Sequence, residues 1–276
     1  MLSSEQTLII NHFGVRPSIV MSKEICLRTR FLVDTLQNSG HNTYVIGISG
    51  GVDSTVAGVL VRNAVTILRC YQYDATMIGV RLPYGMQIDK EDARNALSII
   101  QPDRTLEINI KSCTDDLASS VDNTLFEGTS KMLSDFNLGN IKARQRMVVQ
   151  YAVASETNGL VVGTDHAAEA VMGFFTKFGD GAADIMPLAG LNKRQIMKIG
   201  KALNIPDELV NKVPTADLET NKPGLPDEVA FGLTYSQIDD FLEGKDVGIE
   251  AHNKIVDRYF ATIHKRRLPV TPFIKY

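Results

Sequence analysis

The sequence predicts an α/β fold, a doubly wound, mostly parallel sheet flanked by helices, and three observations predict it. Four short β-rich runs recur along the chain, helical stretches separate them, and the first run breaks into a Ser-Gly-Gly turn that leads straight into a helix. Such an order buries a parallel sheet between helices and places ligands beyond the carboxyl ends of the strands.

The strand candidates are "TYVIGIS" from Thr43, "ATMIGVRL" from Ala75, "TLEINI" from Thr105 and "GLVVGTD" from Gly159. Between them, helices are expected over Thr55 to Leu68, "DKEDARNALSII" from Asp89, "SCTDDLASSVDNTL" from Ser112 and "IKARQRMVVQYAVASETN" from Ile141. Residues 1 to about 40 read as helical, with apolar stripes at three- and four-residue spacing in "QTLIINHF" and "EICLRTRFLVDTLQ". Downstream, "LNKRQIMKIGKALN" and "SQIDDFLEG" are helix candidates, and the last helix, "KIVDRYFATIHKRR", stops at Pro269. The Pro-, Asp- and Thr-rich stretch "KVPTADLETNKPGLPDE" reads as a mobile loop. "RMVVQYAVA" is apolar nearly all round, so it is either central core or a subunit interface, and the commonness of buried helices in this fold favours core.

Composition bounds the function. At 276 residues, 44% hydrophobic and 22% charged, the chain has the makeup of a soluble globular domain, and one domain over 1–276 is expected. A net charge of −3 gives no bulk attraction for nucleic acid or acidic membrane, so neither is an expected partner. Cys26, Cys70 and Cys113 form no CxxC pair or Cys/His cluster, and reduced, buried thiols are expected. Without a leader or a run of roughly 20 apolar residues, a cytoplasmic location is expected.

The opening loop carries the chemistry. In "GISGGVDS", Gly50 and Gly51 clear space for a ligand, while backbone N–H groups and the positive end of the following helix converge on one point. That point attracts phosphate, and Ser49 and Ser54 add hydroxyls. Asp53 would repel phosphate unless a divalent cation stood between them, so it reads as a magnesium ligand, with an N-terminal cap as the plain alternative. A Walker A loop and a dinucleotide fingerprint both fail, since there is no Gly-Lys-Ser/Thr ending and no G-x-G-x-x-G. Farther on, "LVVGTDHAAE" sets Thr164 and Asp165 at a strand end and Glu169 one helical turn beyond, where it can share a cation with Asp53. His166, alone among its neighbours, reads as structural.

The loop "SGGVDS" after a hydrophobic strand resembles the PP-loop of the ATP pyrophosphatases, which adenylate a substrate by cleaving ATP between its α and β phosphates. "GNIKARQRM", "GTDHAAEAVMGFFTKFGDG", "LNKRQ", "PTADLE", "LPDE" and "HKRR", in that order, are similar to the ammonia-dependent NAD synthetase family over nearly the whole chain. The resemblance implies a five-stranded sheet of the adenine nucleotide alpha hydrolase-like kind, Mg2+ as cofactor, ATP as co-substrate, and a homodimer with a shared dinucleotide site. Such a homodimer makes the apolar helix around Val148 and Tyr151 a candidate interface and shifts the balance away from core. It implies amidation of deamido-NAD to NAD through an adenylated carboxylate, with AMP and pyrophosphate released.

By the same resemblance, ATP would be held by Gly47, Ile48, Ser49, Gly50, Gly51, Val52, Asp53 and Ser54 of the loop, by Thr164, Lys193 and Thr215, and, near them, by Arg81 and Gln87. Mg2+ would lie on Asp53 and Glu169, and deamido-NAD on Arg144, Lys177, Asp184, His264 and Lys265. Asp180, in "TKFGDG", is the candidate to take a proton from ammonium, as a buried carboxylate beside the site. Free ammonia is the expected nitrogen source, because the synthetase-like part uses the full chain and leaves no room for an amidase domain. Residues 204–228 and "YGMQIDKED" are expected as lids over the adenylate. Val52 departs from the family, many of whose members have glutamine there. A tRNA-modifying PP-loop enzyme and a catalytically silent nucleotide sensor are the competing readings.

Overall fold

In the computed structural model, residues 2–85, 90–215 and 224–272 are described. The expected strands form as Thr43–Gly47 (β1), Thr76–Arg81 (β2), Arg104–Glu107 (β3) and Gly159–Val162 (β4), all parallel, in the order β3-β2-β1-β4. Val162 makes a further isolated parallel bridge to Ile185 at the β4 edge, so four of the five expected strands are seen among the described residues. Tyr44, Val45 and Ile46 of β1 are fully buried because helices cover both faces, which is why the run is apolar without alternation.

On one face lie Met21–Ser39 (α2), Val52–Cys70 (α3) and Lys193–Ala202 (α8), with Lys90–Ile100 (α4) beside α3. The largest apolar cluster joins α2, α3 and α8, including Leu32, Val56, Leu60, Ala64, Leu68, Ile196 and Ile199. Small residues let α3 approach its neighbours, and a Cβ on Gly58 would lie 2.6 Å from Ile100 Cδ1. The helix starts at Val52, three residues before the sequence-based expectation. The loop itself supplies its first turn, with Thr55 N–H donating to Gly51 O at 3.1 Å.

Asp135–Glu156 (α6) packs on β1 and β4 from the other face, together with Lys111–Leu125 (α5). It begins six residues before the expected Ile141, since Ser134 caps it by accepting from Asn137 N–H at 3.3 Å. Its apolar run is not central core. Met147, Val149 and Tyr151 are half-buried and Val148 is 52% exposed, because the helix packs on the sheet and α5 while the Val148 face points outward. The remaining long helices, Ser4–Phe13 (α1), Tyr235–Leu242 (α11) and Ile249–Ala261 (α12), enclose the short Ala167–Met172 (α7) around Ile9, Ile238, Phe241, Ile255 and Tyr259. Two short helices, Asp207–Val210 (α9) and Asp227–Phe231 (α10), flank the Thr215–Pro226 bridge. Within the loop expected to be mobile, and within the two expected lids, residues 216–223 and 86–89 lie outside the described residues.

The cysteine expectation is corrected: Cys26, Cys70 and Cys113 are free but all exposed, each lying on the outward side of its helix. Among the described residues no helix is long and apolar enough to cross a membrane.

Candidate active site

The carboxyl end of β1 turns on glycines that have separate tasks. Gly50 sits at φ +86°, and a Cβ there would lie 2.5 Å from Ala93 N and 2.7 Å from Asp92 C, so the N-terminus of α4 packs directly on the turn. Gly51 is different. A Cβ on it would meet only Ser49 Oγ, at 3.5 Å, and its open side faces a cavity of about 980 Å³. Ser49 Oγ accepts from Gly51 N–H at 3.3 Å and lies 3.2 Å from Ser54 Oγ, which donates to Gly51 O at 3.1 Å. These bonds brace the loop from within and leave the first-turn N–H groups of α3 for an anion.

Acidic and basic side chains from four distant segments converge on that cavity. Lys193, at the start of α8, is 3% exposed and donates from Nζ to Asp53 Oδ2 at 2.7 Å, with the Tyr235 ring 5.0 Å away. Its helix end is held in place by Asp239 of α11, which accepts from the N–H groups of Lys193 at 3.1 Å and Arg194 at 2.8 Å. Asn192 and Gln195 complete the capping box. His166, at the head of α7, is 1% exposed, and its Nε2 lies 3.5 Å from both Asp53 Oδ1 and Glu169 Oε2.

The charges in this group are unevenly matched. Burial pushes the Asp53 carboxyl up, but Lys193 and then His166 outweigh it and hold the group below the usual carboxylate range. Burial and the neighbouring Asp53 push Glu169 well above that range, while burial, Asp180 and Asp53 do the same to Asp165. Burial also pulls the His166 imidazole down to about 3, so it is neutral. Lys193 thus keeps Asp53 ionised, while Glu169 and Asp165 are held toward the protonated form for want of a positive charge of their own. Asp53 Oδ1 and both ring nitrogens of His166 are buried without a hydrogen-bond partner, and donor atoms of Asp53, His166 and Glu169 all lie within 4.8 Å of one another. That set fits a divalent cation.

Comparison with known proteins decides the family. The model of the NAD synthase family matches residues 24–269. The chain belongs to the NAD synthase family. It is 51% identical to the NH(3)-dependent NAD(+) synthetase of Rhodococcus erythropolis, over 96% of this chain and 95% of that one. It is 53% identical to that of Mycobacteroides abscessus, over 99% and 98%. Among solved structures it is similar to an NAD+ synthetase from Burkholderia pseudomallei, with TM-score 0.81, 46% identity and 96% of each chain covered. An NMN synthetase from Francisella tularensis is similar as well, with TM-score 0.80, 33% identity, 93% of this chain and 100% of that one.

Within this family member the expected site residues divide into two groups. Gly47, Ile48, Ser49, Gly51, Val52, Asp53, Ser54, Arg81, Thr164, Glu169, Lys193, Thr215, Asp180 and Lys265 all line the cavity, and Gly50 supports it from behind. Arg81 reaches it while paired to Glu107 at 2.6 Å. Lys265 Nζ donates to Gly173 O at 2.9 Å and Phe175 O at 2.8 Å. Asp180 is exposed rather than buried and lines the cavity, and it accepts from Thr176 N–H at 2.9 Å.

The second group stands outside. Arg144, Lys177, Asp184 and His264 do not line the cavity. Arg144 donates to Lys177 O at 3.2 and 3.3 Å, and Asp184 accepts from Val161 N–H at 2.7 Å and from the Tyr151 hydroxyl at 3.4 Å. Gln87 lies outside the described residues.

Sequence reasoning missed further residues at the cavity, among them Gln150, Lys212 and Arg258. The fold seats His166, expected to be structural, against both candidate cation ligands. Arg146 lines the cavity and donates to Leu82 O at 3.0 Å, and Asp227 lines it while accepting from the Tyr235 hydroxyl at 2.9 Å. Arg146, His166 and Asp227 stood inside quoted motifs, whereas Tyr235 carried no signal at all.

Proposed function

We infer that the chain is an ATP-dependent ligase that amidates deamido-NAD to NAD with ammonia and releases AMP and pyrophosphate. The observation that carries this reading is the PP-loop of an NAD synthase family member opening on the same cavity as Asp53, Glu169 and Lys193. The pyridine carboxylate is unreactive toward ammonia because oxide is a poor leaving group. Its oxygen attacks the α-phosphorus of ATP, the bond from that phosphorus to the bridging oxygen breaks, and pyrophosphate departs into the loop. The N–H groups at the head of α3 and the Lys193 ammonium hold the departing charge. Mg2+ on Asp53 and Glu169 would supply further charge neutralisation for the phosphates.

Ammonia then attacks the acyl carbon, and AMP leaves with the carboxylate oxygen. Asp180, whose carboxylate lines the cavity, receives the proton that ammonium must lose. Thr164, Thr215, Arg81 and Gln87 belong to the ATP side of this reading. Lys265, with Arg144, Lys177, Asp184 and His264, belongs to the dinucleotide side.

The last four residues stand apart from one chain's cavity, which favours a homodimer in which each dinucleotide site spans two chains. Arg144, Val148, Ala152 and Ser155 form an exposed stripe at helical spacing on α6, and Phe136 on the same helix is 63% exposed. The reading also takes residues 1–276 as one synthetase domain, working in the cytoplasm on free ammonia.

The test is to incubate the protein with ATP, Mg2+, ammonium and either deamido-NAD or nicotinic acid mononucleotide, and to follow amide product and AMP by chromatography. Equal amounts of NAD and AMP from the dinucleotide are expected. Preference for the mononucleotide would overturn the substrate, and ATP binding with no AMP from either would make the chain a nucleotide sensor.

A further inference from the structure

His166 packs beside the Tyr235 ring, but no hydrogen bond accounts for its buried nitrogens. It is 1% exposed at the head of α7, and neither ring nitrogen has a hydrogen-bond partner, an expensive arrangement for a buried imidazole. Its Nε2 points between two carboxylates, 3.5 Å from Asp53 Oδ1 and 3.5 Å from Glu169 Oε2, distances too long for hydrogen bonds of good geometry. An imidazole nitrogen facing Asp53 Oδ1 and the Glu169 carboxyl without a hydrogen bond to either leaves room for a positive charge among the three, a proton or a metal ion, and a metal ion would also satisfy Asp53 Oδ1. Asp53 is divided to match. Its Oδ2 is committed to Lys193 at 2.7 Å, while Oδ1, the atom facing His166, is buried and unpartnered.

We propose that His166 is the third protein ligand of the cation centre, through Nε2, so that this centre ranks first-row transition dications such as Mn2+ above Mg2+. The inference rests on the reading of Asp53 and Glu169 as cation ligands and adds a nitrogen donor to them. Mg2+ favours oxygen at short, near-octahedral distances, whereas imidazole binds first-row transition dications, so a mixed nitrogen and oxygen set shifts the preference. The sequence conceals this, because Asp53 and His166 lie far apart along the chain and meet only where α7 follows β4 beside β1.

The experiment is pulsed electron paramagnetic resonance of Mn2+ bound to the full chain, with and without α,β-methylene ATP, in protein labelled with 15N only at histidine. Nitrogen modulation from the labelled imidazole is expected in the wild type and its loss in His166→Gln. The Kd for Mn2+ should rise about tenfold in that variant, with a change under about threefold for Mg2+. His166→Asn serves as a second variant, and unchanged thermal melting of either establishes that the fold is intact. Mn2+ that binds, and is lost in Asp53→Asn, yet shows no histidine modulation would overturn the third ligand and leave the two-carboxylate centre standing. No Mn2+ binding under either condition would overturn both.

Discussion

The side of the cavity proposed to hold phosphate and the side proposed to hold the dinucleotide are built in opposite ways. On the phosphate side one chain suffices: the Gly47 to Ser54 loop, Asp53, Glu169 and Lys193 meet within it, and α3 behind them is buried along most of its length. On the other side, Lys265 reaches the cavity while Arg144, Lys177, Asp184 and His264 stand outside, around a helix left half-exposed. A site that must neutralise concentrated charge is pre-organised by a rigid core, whereas one that binds an extended ligand can be completed by a second surface.

The sharpest way to break this contrast is at Asp53. Asp53→Asn should lower the rate of NAD formation by about 10² to 10³ and leave thermal melting within a few degrees, since the side chain reaches the cavity and is 18% exposed. Unchanged turnover would remove the carboxylate from the chemistry.

Next come the paired glycines. Gly50→Ala should cost about 1–3 kcal/mol in denaturant unfolding, because φ +86° is strained for alanine and Ala93 N would be 2.5 Å from the new Cβ. Gly51→Ala should unfold like the wild type and lose only ATP affinity, measured by calorimetry. Equal destabilisation of both would show that the loop is not divided into a packed and an open glycine.

On the other side, Val148→Asp should leave the fold intact while halving the sedimenting mass and reducing affinity for deamido-NAD more than for ATP. A wild-type chain that sediments as a monomer at working concentration would sink the shared-site reading.

A smaller effect tests the frame beneath the phosphate side. Asp103 joins α3 to β2 by accepting from Arg69 at 2.8 and 3.0 Å, from Arg62 at 3.0 Å and from Met77 N–H at 2.8 Å. Burial opposes its ionisation, but Arg69, the Met77 N–H and Arg62 outweigh burial and lower its pKa. Stability from such a depressed carboxyl is fully present above its unfolded pKa of 3.8 and is lost as pH falls through the lower folded value. Asp103→Asn should therefore remove on the order of 1–2 kcal/mol at neutral pH and flatten the acid limb of the unfolding profile. An unchanged acid limb would place the linkage elsewhere. Smallest of all, replacing the three exposed cysteines by serine should change stability by no more than about 0.5 kcal/mol each.

Legibility followed chain separation. Strand β1, its loop and α3 are contiguous, so their residues announced both the turn and the anion site. α6 was read in part, since its apolar run was visible but its cap at Ser134 and its exposed stripe were not. A single sequence carries no record of what covers a helix, and the expectation of central core failed for that reason.

By itself the sequence determined the parallel αβ order and the glycine turn at the end of β1, because each depends on local periodicity or on adjacent residues, whereas the residues expected to hold ATP came from the family resemblance. Only the tertiary structure decided that Lys193, 140 residues from Asp53, is its ion-pair partner, and that His166 faces both carboxylates. It also decided that four of the five expected dinucleotide residues stand outside one chain's cavity. Those outcomes depend on which strand ends and helix heads meet in space, and packing of the whole chain selects that meeting.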